Sequence, residues 1–401
     1  MRFLFTSVPM TGHFHAMAPY ARALRDRGHD VAFATGARFG EFVRRTGFEH
    51  FACGFDFDGS SDIFAVLPGW DAIRERFASA PPLAQLHGFV EGLAPRMAAD
   101  LAPVMNAWKP AVVVRDLLEY GGYVAAERAQ VPHATVNWGI YIAPQQVARD
   151  AMRALRAHHG LVDDPALSSL DRFLLLSALP SSWLYPECPV SEVLHRFSVP
   201  PFDTSGDERL PTWMSELADR PTVYATLGTT FNQAPATFRA LIQAFGGEEF
   251  EAIITVGRNL DPGQLGVLPG NVRAARYIPQ TLLLPRCQAI VFHAGFNSIH
   301  SALWHGLPMV LMPMGAGDQL LNARHCAALG AAIVVEGQPP APQALRAAVR
   351  AVLREPGPRA RAQALRQELN ALPQLSAAVD LLERLGRSRE PQCGGGAGTG
   401  R

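Results

Sequence analysis

The chain has 401 residues and a formal net charge of zero, and 18% of its residues are charged. This length suits two domains of about 200 residues each with a cleft between them. The balanced charge gives no indication of a nucleic-acid partner, and no stretch reaches the roughly 18 apolar residues of a membrane span, so a cytoplasmic enzyme is expected. These features leave open whether the chain forms a homodimer.

Apolar strands and amphipathic helices alternate through the first half of the chain. RFLFTSV is followed by HAMAPYARALRDRG, whose apolar positions recur at helical spacing before Gly28, and then by DVAFAT. Such βα units predict a parallel, Rossmann-like sheet within residues 1–203. Its strands are expected at 2–8, 30–35, 111–116 and 133–138.

A second alternating series follows a stretch at 197–211 that is rich in Pro, Gly, Ser and charge, which places a linker at 204–215. A second Rossmann-like domain is expected over 216–375, then a C-terminal helix at 376–388 that can pack back on the first domain, and a disordered tail at 389–401. The predicted fold is α/β, with two doubly wound Rossmann-like domains facing a cleft. Strands of the second domain are expected at 222–228, 251–257, 272–278, 289–295, 308–314 and 331–335.

The turn in VFHAGFNSIHSAL has the composition of an anion-binding site. Doubly wound sheets bind ligands at the carboxyl ends of their strands, where this turn lies. Gly295 permits close backbone approach, Ser298 is expected to cap the helix, and the N–H groups of the first helical turn can receive a phosphate. His293 adds a donor, so a diphosphate can bind without a metal ion. On these residues alone, an ordinary turn and helix cap remain an alternative.

Other site types find little support in the sequence. A dinucleotide-binding dehydrogenase needs GxGxxG in its first strand-to-helix turn, but SVPMTGHFHA contains one glycine. The five cysteines form no CxxC pair, which argues against a zinc site. The DFD sequence at Asp56 to Asp58 resembles a metal-binding DxD, but it lies away from any expected nucleotide site, so we interpret it as a solvated turn. No metal is predicted.

The segment HAGFNSIHSALWHGLPMVLMPMGAGDQLLNA resembles the nucleotide-sugar signature of GT-B glycosyltransferases that decorate small molecules. Bacterial members have HGGxGT and plant members HCGWNS, each followed by GxPxxxxP and an acidic-Gln pair. YIPQTLLLPRCQAIVFHAG and YATLGTTFN are similar to further elements of the same domain. GHFHAMAPYARALRDRGHDVAF and KPAVVVRDLLEYGGYVAAERAQVPHA resemble the first domain of bacterial deoxysugar-transferring members.

The resemblance implies roles for residues of the donor site. The diphosphate would be bound at His293, the nucleotide base at a turn after the third strand, the sugar hydroxyls by an acidic-Gln pair, and the phosphates or acceptor by the loop after 222–228. The corresponding residues are Thr226, Gly228, Thr229, Tyr277, Ile278, Gln280, His293, Gly295, Asn297, Ser298, Asp318 and Gln319.

The resemblance also places the general base at His13, just after the first strand, and its carboxylate partner at Asp116. An imidazole with an ordinary pKa of about 6.5 is suited to removing a proton from a hydroxyl at neutral pH. His15, two residues later, is an alternative base. From the residues alone, an ordinary turn histidine and a helix-capping aspartate remain the alternatives.

Aromatic residues are dense between positions 48 and 90, where the family has its acceptor loops. This density predicts a hydrophobic aglycone as acceptor, although core packing is an alternative for each ring. The candidate acceptor-binding residues are Phe55, Phe64, Trp70, Trp138 and Tyr141.

The chain departs from the family pattern at the donor site. Plant members have a glutamate that accepts hydrogen bonds from ribose where this chain has Ser301, which favours a dTDP-sugar over a UDP-sugar. Ala294 and Asn297 replace residues of the bacterial HGGxGT. The resemblance implies an inverting, metal-independent transfer of a deoxysugar to a hydroxyl of a hydrophobic natural-product aglycone, with no cofactor besides the donor. A nucleotide-sugar epimerase or hydrolase, and a non-catalytic helper of a partner transferase, are the alternatives.

Overall fold

The computed structural model describes residues 1–139, 148–183, 191–203, 208–229, 232–315 and 317–394, without the side chains of 81–83 and 317. Within it the chain forms two compact units. The first contains Met1–Gly59, Ile63–Pro200 and the chain from Ala371 onward, and the second contains Ser60–Asp62 and Pro201–Asn370.

The first unit is built on a seven-stranded parallel sheet with strand order β3-β2-β1-β4-β5-β6-β7. Its central strands are almost entirely buried, which agrees with their continuous apolar sequences. Three strands that the sequence did not predict, β3, β6 and β7, are short and lie in the outer part of the sheet. The strands are β1 Arg2–Thr6, β2 Asp30–Thr35, β3 Glu49–Ala52, β4 Val112–Asp116, β5 His133–Asn137, β6 Leu174–Ser177 and β7 Leu194–Arg196.

Helices connect these strands and bury their apolar sides against the sheet. A π-helical segment, Gly88–Leu93, joins the fourth and fifth helices. The α-helices are α1 Thr11–Asp26, α2 Gly40–Arg45, α3 Trp70–Arg76, α4 Pro81–His87, α5 Ala94–Trp108, α6 Gly121–Ala129 and α7 Arg149–His158.

The second unit contains a six-stranded parallel sheet with strand order β10-β9-β8-β11-β12-β13. Each of its six predicted strands is present, and each is shorter than predicted. The strands are β8 Thr222–Thr226, β9 Glu251–Thr255, β10 Val272–Ala275, β11 Ala289–Phe292, β12 Met309–Leu311 and β13 Ala332–Val334. The helices are α8 Pro235–Phe245, α9 Gln280–Leu283, α10 Phe296–His305, α11 Gly317–Ala328, α12 Pro342–Arg354 and α13 Pro356–Ala371.

The last helix, α14 Leu375–Ser388, belongs to the first unit. Nη1 of Arg27 is 2.5 Å from Oδ1 of Asp380, and Nε2 of His29 is 2.9 Å from Oε1 of Glu383. The chain beyond α14 was expected to be disordered from 389. In the structure Gln392 is buried and its N–H donates to the carbonyl of Phe173 over 2.7 Å, while residues 395–401 lie outside the described range.

The predicted borders differ from this division. The sequence places 201–203 in the first domain and 371–375 in the second, whereas contacts assign them the other way round. Of the expected linker at 204–215, residues 204–207 lie outside the described range and Thr212–Glu216 forms a short 3₁₀-helix. Contacts of Asp203 with Tyr277, Gln280 and Thr281, described below, explain its assignment to the second unit.

Both sheets reverse their strand order at one point. β1 pairs with both β2 and β4, and β8 pairs with both β9 and β11. Crevices at such reversals are where doubly wound sheets bind ligands. The prediction of two doubly wound Rossmann-like domains is confirmed. Among the described residues, no helix has the length and apolarity needed to cross a membrane.

Candidate active site

The strand reversal of the first sheet brings His13 and Asp116 together. His13 lies in the first turn of α1, shortly after β1, and Asp116 is the last residue of β4. Nδ1 of His13 is 2.5 Å from Oδ2 of Asp116. Both side chains are buried, so their interaction is only weakly screened by water. We call this pair the dyad.

Asp116 is held by further donors. Its Oδ1 accepts hydrogen bonds from Nε1 of Trp138 over 2.6 Å and from the N–H of Leu118 over 3.3 Å. Burial acts to raise the pKa of Asp116, but the charge of a protonated His13 and the hydrogen bonds from His13 and Trp138 lower it, and the net shift is downward. The carboxylate is therefore ionised at neutral pH and can only accept hydrogen bonds.

This electrostatic environment determines the tautomer of His13. Because ionised Asp116 donates no proton, Nδ1 of His13 must carry one, which leaves Nε2 as the basic atom of the ring. His15, the alternative base, packs its ring 5.8 Å from that of Phe42, and the imidazole bound to Asp116 is that of His13.

Aromatic rings surround the dyad in the first unit. The ring of Trp138 lies edge-on to His13 at 4.7 Å, and that of Phe89 lies at 6.0 Å. Phe64 contacts Phe89 at 5.0 Å and stacks on Trp70 at 4.4 Å. Three candidate acceptor residues thus belong to one aromatic cluster with His13, and Trp138 also binds Asp116, a role the sequence did not suggest. Phe64 is itself largely buried.

A narrow apolar cavity lies next to this cluster. Its volume is about 10 Å³, room for about one water molecule, and it is lined by Phe55, Phe89, Leu118 and Glu119 among others. Small-molecule sites typically span about 300–1,000 Å³, so this cavity does not hold an acceptor. Tyr141, the remaining acceptor candidate, lies outside the described residues. Oδ1 of Asp56 in the DFD sequence accepts a hydrogen bond from the N–H of Arg38 over 2.7 Å, a contact between segments 18 residues apart.

The strand reversal of the second sheet contains His293, which follows β11 directly. Its ring lies between two glycines, Gly228 after β8 and Gly295 before α10. A Cβ at Gly228 would be 2.5 Å from Cε1 of His293, and a Cβ at Gly295 would also overlap the ring. The position of this imidazole therefore requires glycine at both sites, because a side chain at either one would overlap the ring.

The protonation state and environment of His293 suit hydrogen bonding to a polar ligand. Burial lowers its pKa to about 4, so the ring is neutral at physiological pH. Its Nδ1 atom is buried and has no hydrogen-bond partner within the described residues. A neutral imidazole still offers one N–H donor, which suits an oxygen of a phosphate group.

The turn after His293 has an unusual backbone conformation. Ala294 has a φ of 65°, in the left-handed region that costs a residue with a Cβ about 1–2 kcal/mol. Nδ2 of Asn322 donates to the carbonyl of Ala294 and to Oδ2 of Asp318, each over 3.0 Å. Asn322, which the sequence did not single out, therefore links the turn to the acidic residue of the predicted sugar-binding pair.

The expectation that Ser298 caps the helix is wrong. α10 begins at Phe296 with Gly295 as its N-cap residue, so Ser298 already lies inside the first turn. Its hydroxyl instead accepts a hydrogen bond from Nε2 of Gln280 over 3.0 Å. Asn297 lies beside it in the first turn. The structure thus joins the predicted diphosphate and base segments, and N–H groups of this turn still point out of the helix start.

The other donor-site candidates lie around this turn. Tyr277 exposes 49% of its surface, whereas Ile278 is buried and could contribute only main-chain groups. Gln319 is also buried, and its Oε1 accepts from the N–H of Met314 over 2.7 Å, while Asp318 is exposed. Ser301 is buried on α10.

The loop after β8 is organised by its own side chains. Oγ1 of Thr226 accepts from the N–H of Gly228 over 3.2 Å. Buried Asn232 donates to the carbonyls of Gly228 and Thr229 over 3.2 and 3.4 Å. Asn232 fixes the loop that contacts His293, and no periodicity or motif marks such a contact in the sequence.

Comparison with known proteins identifies the family. The erythromycin biosynthesis protein CIII-like family matches with its N-terminal domain over residues 22–239 and with its C-terminal domain over 239–385. The 4'-demethylrebeccamycin synthase of Lentzea aerocolonigenes is 30% identical, with 96% of this chain and 99% of the relative covered. The tylactone mycaminosyltransferase of Streptomyces fradiae is 27% identical, with 97% and 94% covered.

A solved structure, that of the glycosyltransferase VinC in complex with dTDP, superposes with a TM-score of 0.79 at 28% identity, covering 96% of this chain and all of the other. The predicted GT-B architecture is therefore confirmed, as is the predicted family relationship. The chain belongs to the erythromycin biosynthesis protein CIII-like family and is a GT-B glycosyltransferase of antibiotic biosynthesis.

Proposed function

We propose that this enzyme transfers a deoxysugar from dTDP to a hydroxyl of a hydrophobic aglycone, with inversion at the anomeric carbon and without a metal ion. The observation with the greatest weight is the buried dyad of the first unit, with the rings of Trp138 and Phe89 beside His13. The names of the relatives, a demethylrebeccamycin synthase and a tylactone mycaminosyltransferase, and the dTDP of the VinC complex support this choice of substrates.

The dyad provides the base. Nε2 of His13 removes the proton of the acceptor hydroxyl as the oxygen attacks the anomeric carbon, and ionised Asp116 stabilises the imidazolium that forms. The oxygen attacks from the side opposite the leaving diphosphate, which inverts the configuration. Aromatic rings around the dyad, including Trp138 and Phe89, favour an aromatic or otherwise apolar acceptor.

The second unit stabilises the leaving group. Neutral His293 donates one hydrogen bond to the diphosphate, and the N-terminus of α10 adds N–H donors and the positive end of a helix dipole. These groups act on the negative charge that develops as the sugar departs, which is the role a metal ion plays in other glycosyltransferases.

The test is a transfer assay with dTDP-deoxysugars and UDP-sugars, aromatic and macrolactone aglycones, and a chelator. We expect a glycoside by mass spectrometry with dTDP-sugars, unchanged by the chelator, with the inverted anomeric configuration by NMR. Rate restored only by Mg²⁺, a retained configuration or a preference for UDP-sugars would contradict the corresponding part of the proposal. Free sugar or an epimer formed from the donor alone would favour the hydrolase or epimerase alternative.

A further inference from the structure

Asp203 binds the start of α9 in the second unit. Its Oδ2 accepts hydrogen bonds from the N–H of Gln280 and, over 3.3 Å, from the N–H of Thr281, and its Oδ1 accepts from the Thr281 hydroxyl over 2.5 Å. The residue preceding the helix, Pro279, provides no side-chain cap. A residue 77 positions earlier in the chain therefore caps this helix.

The backbone of Asp203 makes a second contact with the same turn. Its carbonyl oxygen accepts a hydrogen bond from the Tyr277 hydroxyl over 2.5 Å. The Tyr277 ring is half-exposed, and this bond fixes the position of its hydroxyl end. Asp203 thus fixes both ends of the segment from Tyr277 to Thr281.

This segment is next to the proposed diphosphate site. The side chain of Gln280 donates to the hydroxyl of Ser298 in the first turn of α10. The exposed ring of Tyr277 and the main chain around Gln280 are thereby held at a fixed position relative to that turn. A ring and peptide groups held in this way form a surface on which a planar base can stack.

We propose that Asp203 is a positioning residue for recognition of the nucleotide base of the donor. It does not contact the base, since its carboxylate is occupied by three donors. It orients the ring of Tyr277 and the peptide groups of the turn before the donor binds, which lowers the entropy lost on binding. This inference rests on the proposed function, because it assumes a nucleoside diphosphate at this turn.

The experiment compares two ligands that differ by the nucleoside. Calorimetry would give the Kd of dTDP and of inorganic pyrophosphate for the wild type, Asp203→Ala, Asp203→Asn and Tyr277→Phe. Asp203→Ala and Tyr277→Phe should each weaken dTDP binding about tenfold and leave pyrophosphate binding within about twofold. Asp203→Asn should stay within about threefold for dTDP, because its amide oxygen still accepts from both N–H groups.

Equal loss for both ligands in Asp203→Ala would show a purely structural role, and unchanged dTDP binding in that variant would show no role; either would overturn the proposal. Tyr277→Phe removes only one hydroxyl from a half-exposed ring, so this variant keeps the test valid if Asp203→Ala folds poorly. Unchanged dTDP binding in Tyr277→Phe would also overturn the proposal. A wild type that binds dTDP no more tightly than pyrophosphate would contradict the proposed function itself.

Discussion

The dyad illustrates how a single carboxylate defines the chemistry of an imidazole. Trp138 and the N–H of Leu118 donate to Oδ1 of Asp116. These two hydrogen bonds fix the orientation of the carboxylate, so that Oδ2 faces Nδ1 of His13. With its own pKa lowered, the carboxylate fixes the tautomer and leaves Nε2 for the substrate. The proposed base is thus positioned by residues from three different strand ends rather than by one motif.

Replacing either member of the dyad should affect chemistry more than donor binding. We expect His13→Ala to lower kcat by about 10²–10⁴-fold, because the proton of the acceptor would have no base. Asp116→Asn should also lower kcat, since the amide neither fixes the Nδ1–H tautomer nor stabilises the imidazolium. The measurements are steady-state rates and the Kd of dTDP, which should stay within about twofold.

His15→Ala is the matched control on the same helix, because its ring packs beside Phe42 away from the bond to Asp116. It should retain most of the wild-type rate. If His15→Ala lost activity as severely as His13→Ala, or if His13→Ala turned over normally, the assignment of the base would be wrong.

His293 should make the free energy of unfolding depend on pH. Its pKa is about 6.5 in an unfolded chain and about 4 in the folded one, so protonation favours the unfolded chain. The stabilisation is complete above about pH 6.5 and is lost progressively as the pH falls from there through about 4. Urea denaturation of the wild type and of His293→Gln, at about pH 7 and about pH 4.5, should show a steeper loss in the wild type. Parallel losses would mean that His293 is not buried as described.

At the residue scale, the sequence predicts the positions of side chains that lie at the ends of strands. The positions of His13, Asp116 and His293 at strand ends could be predicted, because parallel strands end at one edge of a sheet. The contacts of Asn322 and Asp203 could not be predicted. Asn322 binds a turn 28 residues away in the chain and Asp203 binds one 77 residues away, and no local sequence pattern indicates such a pairing. The wrong assignment of Ser298 had a related cause, because the start of α10 depends on the position of the turn before it.

At the scale of elements, most predicted strands are longer than the observed ones. β1 ends at Thr6 and β11 at Phe292, before the predicted ends at 8 and 295. The residues beyond these ends leave the sheet to form the turns that present His13 and His293. The missed strands β3, β6 and β7 have only three or four residues each, too few for a clear alternation.

The turn after β8 should tolerate no Cβ at Gly228. An alanine there would overlap the His293 ring, whose Cε1 would lie 2.5 Å from the new Cβ. Gly247→Ala is the control, because both glycines have a φ of 75° but no atom lies within 4 Å of a Cβ at Gly247. We expect Gly228→Ala to weaken dTDP binding at least about tenfold, whereas both variants lose about 1–2 kcal/mol of stability from backbone strain. Calorimetry and urea denaturation give the two quantities, and equal dTDP affinities would contradict the steric argument.

At the scale of the whole molecule, both units place their functional histidine at the reversal of strand order. His13 follows β1, beside β4, and His293 follows β11, beside β8. The order of βα units in the sequence predicted the two sheets, but not which strands would be neighbours. The location of the reversal depends on crossovers between strands far apart in the chain, which a single sequence does not specify.

The C-terminal helix should stabilise the unit that contains the dyad. α14 contacts α1 and β4, the elements that position His13 and Asp116, and Leu382 is fully buried on it. We expect Leu382→Ala to lower the free energy of unfolding of the first unit by about 2–5 kcal/mol, because it leaves a cavity in the packed helix. Arg384→Ala, exposed on the same helix, should change it by no more than about 0.5 kcal/mol. Because the proposed donor site lies in the second unit, dTDP affinity should be the same in both variants. If Leu382→Ala destabilised the protein and also abolished dTDP binding, the two units would not unfold separately. If Leu382→Ala left the free energy of unfolding unchanged, α14 would be dispensable for the first unit.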